Sequence, residues 1–177
     1  MNASGVKQFM ALAREEAATA ERVTDLAQVP AAVHRYLREQ GLAPRLKVIG
    51  LSGPDEVTWE DVPEIDCEPG PVARDGDVVV TGCYGGVAEA GALVMVSSPE
   101  HPPEVNFLAA THIVIVHANR LVDTFEGLWA RLRGDYPAAL PRTLNLIVGP
   151  SRTADLGVPS RLGAHGPARV HIIVVDP

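Results

Sequence analysis

A chain of 177 residues, 46% hydrophobic and 21% charged, has the composition of an ordinary globular domain, which sets aside disorder and fibrous repeats. At this length folding buries roughly 70% of the extended chain's surface, so a core needs neither a disulfide nor a metal. Fifteen Lys and Arg against 22 Asp and Glu leave a formal charge of -7, which argues against nucleic acid as a partner, since affinity for a phosphate backbone comes from clustered basic residues.

At the N-terminus Lys7, Arg14, Glu15 and Glu16 are followed by no apolar run, so no secretory leader is read and a cytoplasmic location is expected. Val6, Phe9, Met10, Ala13 and Ala17 follow helical spacing. A second helix is punctuated by Pro30 at its start and Gly41 at its end, with Val33, Tyr36 and Leu37 facing inward. Residues 1–45 are therefore expected to form a helical lead-in to an α/β domain over residues 46–177.

From Arg45 onward short β-branched runs recur at Leu46 to Leu51, Val78 to Thr81, Leu93 to Val96, His112 to His117, Leu144 to Val148 and Val170 to Val175. Continuous rather than alternating apolar runs suit strands covered on both faces, which predicts an α/β fold with a mainly parallel sheet. None of these runs approaches the about 20 residues of a spanning helix, so no membrane span is expected. Phe125, Leu128, Trp129 and Leu132 fall on one helical face and read as a crossover helix, with the strands from Val78, His112, Leu144 and Val170 sharing one sheet. The stretch from Gly53 to Gly76, rich in Pro, Gly, Asp and Glu, reads as a connection, and its acids Asp55, Glu56, Glu60, Asp61, Glu64, Asp66 and Glu68 as a solvated face. Ser97 to Pro103, with His101 among prolines, is a second break.

Only Cys67 and Cys83 are present, in no CxxC arrangement. Two thiols cannot hold an iron–sulfur cluster, and no metal or other cofactor is expected. Cys83 follows Gly82 in a glycine-rich turn, where N–H groups could stabilise a thiolate, although a buried inert thiol is the commoner case.

Two segments place glycine and small polar residues after apolar strands: Thr81 to Leu93, with Gly82, Gly85 and Gly86, and Val148 to Asp155. Neither has the spacing of a dinucleotide fingerprint or a phosphate loop. The run Gly149 to Asp155, followed by Leu162 to Pro167 and by His171 to Asp176, resembles the C-terminal signature of the LUD-domain family of lactate-utilisation proteins. Ala88 to Val94 and His112 to Arg120 resemble that family's two earlier blocks in the same order. The sequence departs from the family pattern at Ala90, where Thr is usual, at Gly157, where Glu is usual, and at Pro159.

The resemblance covers residues 75 to 177. It implies a fold of the NagB/RpiA/CoA-transferase type with helices on both faces of the sheet. It also implies a place in oxidation of L-lactate to pyruvate, as an accessory or regulatory component acting with separate iron–sulfur subunits. The alternative is a small-molecule enzyme or binding protein for an anionic metabolite, CoA-like or folate-like.

In chemical terms Ser151, Arg152 and Thr153 offer a guanidinium, two hydroxyls and backbone N–H groups that can hold a small anion, with Asp155 closing the loop. The alternative is that Arg152 pairs with Asp155 or Asp176 and the hydroxyls satisfy turn amides. Glu89 is the candidate general base or nucleophile, since enclosure by Val87, Ala88 and Ala92 would favour its protonated form; otherwise it caps the glycine-rich turn. His165, set between glycine and proline, is the candidate catalytic histidine, or else a turn residue bonded to backbone. His112, His117 and His171 read as strand-end residues and His34 as a helix-surface residue. The site expected from these residues has Gly82 to Glu89 and Gly149 to Asp155 together on one edge of the sheet.

Overall fold

The computed structural model describes residues 3–52, 56–69, 76–153, 161–163 and 165–177. The elements run α1 (Ala3–Glu15), β1 (Thr19–Val23), α2 (Val29–Glu39), β2 (Arg45–Ile49), β3 (Asp66–Pro69), β4 (Val78–Gly82), β5 (Gly85–Val87) and β6 (Ala92–Val96). They continue through α3 (Val105–Leu108), β7 (Thr111–His117), β8 (Leu121–Val122), α4 (Phe125–Asp135), β9 (Leu144–Ile147), β10 (Arg152–Thr153), β11 (Arg161–Leu162) and β12 (Arg169–Val175).

The main sheet has six strands in the order β1-β12-β7-β4-β2-β3, all parallel. Its central strands are the β-branched runs: Ile113 to Val116 and Ile172 to Val175 are buried on both faces, as continuous apolar runs require. One face carries α2 through Val29, Ala32, Val33, Tyr36 and Leu37, which pack on Val80, Ile113, Ile115 and Ile173. The other face carries α1, whose Val6, Phe9, Met10 and Ala13 meet Val114, Val116, Ile172 and Val174. Alongside it α3 brings Val105 against Ile49 and Val79. The fold is α/β with helices on both faces.

Besides the stretch from Gly53 to Gly76, read as a connection although its Asp66–Pro69 forms β3 and pairs parallel to β2, two readings of the sequence need correction. The segment between the first two helices is not part of a helical stretch: Thr19–Val23 is an edge strand of the main sheet, paired with β12 from Thr19↔His171 to Val23↔Val175. An edge strand needs only one apolar face, which is why its polar sequence hid it. The second correction concerns Leu144. Its strand β9 lies in a separate four-stranded sheet, ordered β8-β5-β6-β9, and runs antiparallel to β6 with Val96 opposite Leu144. The chain has already left the main sheet at β8, before α4 begins. Val87, Ala92 and Val94 meet Leu128 and Leu132 of α4, so this helix covers the outer face of the small sheet instead of crossing over the large one.

One junction glycine is explained by close approach. Gly149 has φ +88, and a β-carbon there would fall 2.2 Å from the Glu16 carbonyl oxygen at the end of α1. Among the described residues no helix is long and apolar enough to cross a membrane.

Candidate functional site

The parallel sheet has two ends, and the residues singled out in the sequence divide between them. Gly82 closes β4 at the carboxyl end. The opposite end is knitted by backbone bonds from Ala110 N to Asp77 O and from Ala168 N to Ala110 O, each just ahead of a strand. There Ser151 N donates to Pro167 O at 2.8 Å and Gly163 N to Ser151 O at 3.0 Å. The loop of Ser151, Arg152 and Thr153 is thereby clasped to the loop of His165, Gly166 and Pro167 at the amino end. The length of β4, about 13 Å at strand rise, separates them from Gly82, whereas the far end of the segment that begins there returns to their side, with Leu93 opposite Ile147 in the β6-β9 ladder.

At the amino end the geometry brings together what the sequence leaves apart. A β-carbon on Gly166 would lie 3.1 Å from the Ser151 β-carbon, so glycine is what lets the loops touch. Arg152 opens the two-residue ladder with Leu162 opposite it, and both Arg152 and His165 are exposed. Asp176 is held by Arg22 at 2.7 Å, on β1 at the far end of β12, and is therefore not the partner of Arg152. Asp155 lies outside the described residues. The arrangement offers one guanidinium, one imidazole and two hydroxyls on two mutually braced loops, the equipment for holding an anion.

Gly85 and Gly86 lie in β5, wholly buried. A β-carbon on Gly85 would meet the Arg120 carbonyl oxygen at 2.4 Å, and one on Gly86 would meet Leu121 at 2.7 Å and Phe9 at 2.9 Å. Protein fills the space beside them. Glu89 is exposed, and its Oε1 accepts from the Phe125 amide at 2.7 Å, the first N–H of α4. Thr124 caps the same helix through a bond from Gly127 N at 3.2 Å, so Glu89 completes the capping from a distant turn.

The thiol of Cys83 donates to the carbonyl oxygens of Gly85 and Ile115, at 3.4 and 3.5 Å. Both acceptors are backbone carbonyls of the surrounding strands, the setting of a packed structural thiol. His112, the second residue of β7, is fully buried, with Nε2 2.8 Å from Thr81 Oγ1. His171 is buried beneath α2, its ring stacked on Tyr36 at 4.1 Å between centroids. Its Nδ1 lies 2.8 Å from Thr19 Oγ1 and its Nε2 3.1 Å from Glu21. Bonds from His171 and then Arg35 hold the Glu21 carboxyl below its usual range against the opposing effect of burial. Both networks fasten strands together. Among the described residues no cluster of three or more His, Cys, Asp or Glu side chains is placed to hold a metal.

Sequence reasoning gave no role to His101 or Arg120, which stand at the carboxyl end beside Gly82; Arg120 only closes the block His112 to Arg120, His101 sits in no motif, and the fold brings the two together.

The chain matches the family model described as LUD domain over residues 6–175. Lactate utilization protein C of Macrococcus caseolyticus is 30% identical over 130 residues, 72% of this chain and 55% of that protein. Lactate utilization protein C of Bacillus licheniformis is 31% identical over 145 residues, 75% of this chain and 59% of that protein. The chain thus spans a little over half the length of these curated relatives. A DUF162 family protein from Deinococcus radiodurans, known from its crystal structure, superposes with a TM-score of 0.70 at 20% identity, covering 98% of this chain and 97% of its own. That likeness carries the fold.

Proposed function

This chain belongs to the LUD-domain family, and on that footing we propose that it is a component of an L-lactate utilisation system, taking part in oxidation of L-lactate to pyruvate. The supporting observation is the match to proteins named for lactate utilisation over about three quarters of the chain. Oxidation of an alcohol to a ketone releases two electrons and two protons. The family resemblance implies that the electrons pass to separate iron–sulfur partner subunits in the cytoplasm and that this subunit has an accessory or regulatory part, with which its two cysteines, too few for a four-thiolate cluster, agree.

In this reading the clasped loops of Ser151, Arg152, Thr153 and His165 hold a small anionic metabolite. The exposed Arg152 supplies the charge, and it has no carboxylate partner among the described residues. Deleting the gene is expected to impair growth on L-lactate as sole carbon source, with growth restored by the wild-type gene and with the tagged protein co-purifying with iron–sulfur subunits. Normal lactate oxidation in the deletion strain, with no second copy of the gene present, would remove the role.

A further inference from the structure

Beyond β2 and β4 the chain departs in opposite directions. β2 leads to β3 on one side, whereas β4 leads by way of the small sheet to β7 on the other. In open parallel sheets the crevice outside the carboxyl ends at such a switch of direction is where ligands bind. Here the crevice is bordered by Gly50, with φ +67, and by Gly82.

One side chain stands across it. His101 Nε2 lies 3.1 Å from Gly82 O, and because that carbonyl only accepts, this nitrogen carries the hydrogen. A β-carbon on Gly50 would fall 2.2 Å from His101 Nδ1, so the ring fits only over glycine. A tight turn delivers it: Ser98 N donates to His101 O at 3.2 Å, His101 N returns a bond to Ser98 O at 3.1 Å, and Ser98 Oγ accepts from the same amide at 3.1 Å.

The remaining cleft, of about 180 Å³, is bordered by Arg120. Arg131 ties down the backbone that carries it, donating to Arg120 O at 2.6 Å and Asn119 O at 3.3 Å. The Arg120 guanidinium itself has no partner among the described residues. The neighbouring carboxylate of Asp135 is taken by the Tyr84 hydroxyl at 2.6 Å. Arg120 brings the one guanidinium among the residues that line the cleft, and a single positive charge suits a monoanion. The volume lies below the roughly 300 Å³ at which pockets for drug-sized ligands begin, so a nucleotide or coenzyme does not fit inside.

We propose that this switch-point crevice is a second binding site, distinct from the clasped loops at the opposite end of the sheet, and that it takes a small monocarboxylate. Arg120 receives the carboxylate and His101 faces the rest of the molecule. The proposal rests on the lactate reading only for its choice of probes, L-lactate and pyruvate.

The test is a titration of the full chain, labelled at histidine and glycine, with pyruvate, L-lactate and inorganic phosphate, followed by nuclear magnetic resonance. The His101 ring and the Gly82 amide are expected to shift saturably with either carboxylate at millimolar concentration. Arg120→Ala should weaken that binding about tenfold or more, with Arg120→Lys intermediate, since loss of a charge-assisted bond is read as such a fold-change. Arg152→Ala should leave it unchanged. Arg120 is exposed, so thermal melts of both Arg120 variants should match wild type. The proposal is overturned if His101 does not shift, if Arg152→Ala abolishes the shift, or if phosphate moves the same resonances as strongly. Binding of pyruvate here together with normal growth of the deletion strain on lactate would sink the pathway reading and leave this site standing.

Discussion

His112 and Thr81 meet across neighbouring strands in the middle of the molecule, imidazole Nε2 to hydroxyl at 2.8 Å, with the histidine wholly out of water. Burial, aided by the nearby His101, pushes the His112 imidazole down to about 4. An unfolded chain takes up that proton at an ordinary value of 6.5, so between 6.5 and 4 the unfolded state binds more protons and stability falls as pH falls. The full loss is on the order of 3 kcal/mol. Glu21 acts lower down: its carboxyl is held below 4.5, so its contribution is present above that pH and lost beneath it. Urea unfolding of wild type and His112→Gln from neutral pH to just above 4.5 should show the slope in wild type and a flatter line in the variant. An equal slope in both would assign the acid sensitivity to other groups.

Glu89 braces α4, and a brace and a base respond differently to substitution. Glu89→Ala removes the acceptor for Phe125 N and is expected to cost about 1 kcal/mol in thermal or denaturant unfolding. Glu89→Gln keeps an acceptor oxygen and should recover much of that loss along with growth on L-lactate. A Gln variant that is as stable as wild type and yet fails to support growth would show that the carboxylate does more than cap a helix.

Arg152 offers the opposite pattern. Its substitution by Ala should leave the melting temperature unchanged. Binding of an anionic metabolite to the clasped loops should weaken roughly ten- to hundredfold, the loss of a charge-assisted hydrogen bond of about 1.5 to 3 kcal/mol. Calorimetric titration with carboxylates, CoA esters and nucleotides measures the first effect and melts run in parallel the second. Retained binding with a much lower melting temperature would make Arg152 a structural residue.

The junctions around α1 give a matched pair. Gly149→Ala would drive a β-carbon to 2.2 Å from Glu16 O at a backbone angle that L side chains rarely adopt. A loss of about 3 kcal/mol or more is expected, with separation of the Gly149 loop from the helix end. Ala17 already sits at φ +65 where α1 ends, with Ala18 N bonded back to Ala13 O. Ala17→Gly removes the left-handed strain and should raise stability by about 1 kcal/mol. Denaturant midpoints of the two variants should move in opposite directions.

Strands with strong apolar runs were legible in the sequence, because burial on both faces demands continuous Val, Ile and Leu at β4, β7 and β12. β1 was not, since Thr19–Val23 carries Glu21 and Arg22 and reads as surface, and β5 was not, since two of its three residues are glycine. The small sheet escaped notice because a short run such as Leu144–Ile147 looks the same whether its neighbours are parallel or antiparallel. Within the candidate site Ser151, Arg152 and His165 stood out through the resemblance of their segments to a family signature, while the contact between their two loops became visible only in the fold. The crevice was not, because His101 reaches Gly82 from a proline-flanked turn and Arg120 reaches it from beyond β7, separations that only the sheet's topology brings together.

The place of β12 between β7 and β1 has a consequence for how the chain is made. Thr19 and His171, which meet in that ladder, are 152 residues apart, so β1 leaves the ribosome long before its partner Arg169–Val175. Until then the flank of β7 is an open apolar edge, a template for pairing with another chain. Folding of the main sheet is accordingly a late, concerted event dominated by distant contacts, which slows it and lengthens the exposure of nascent chains to aggregation. Loss of β12 would strip partners from β1 and β7 at once, leaving two unpaired edges where a single omission was made.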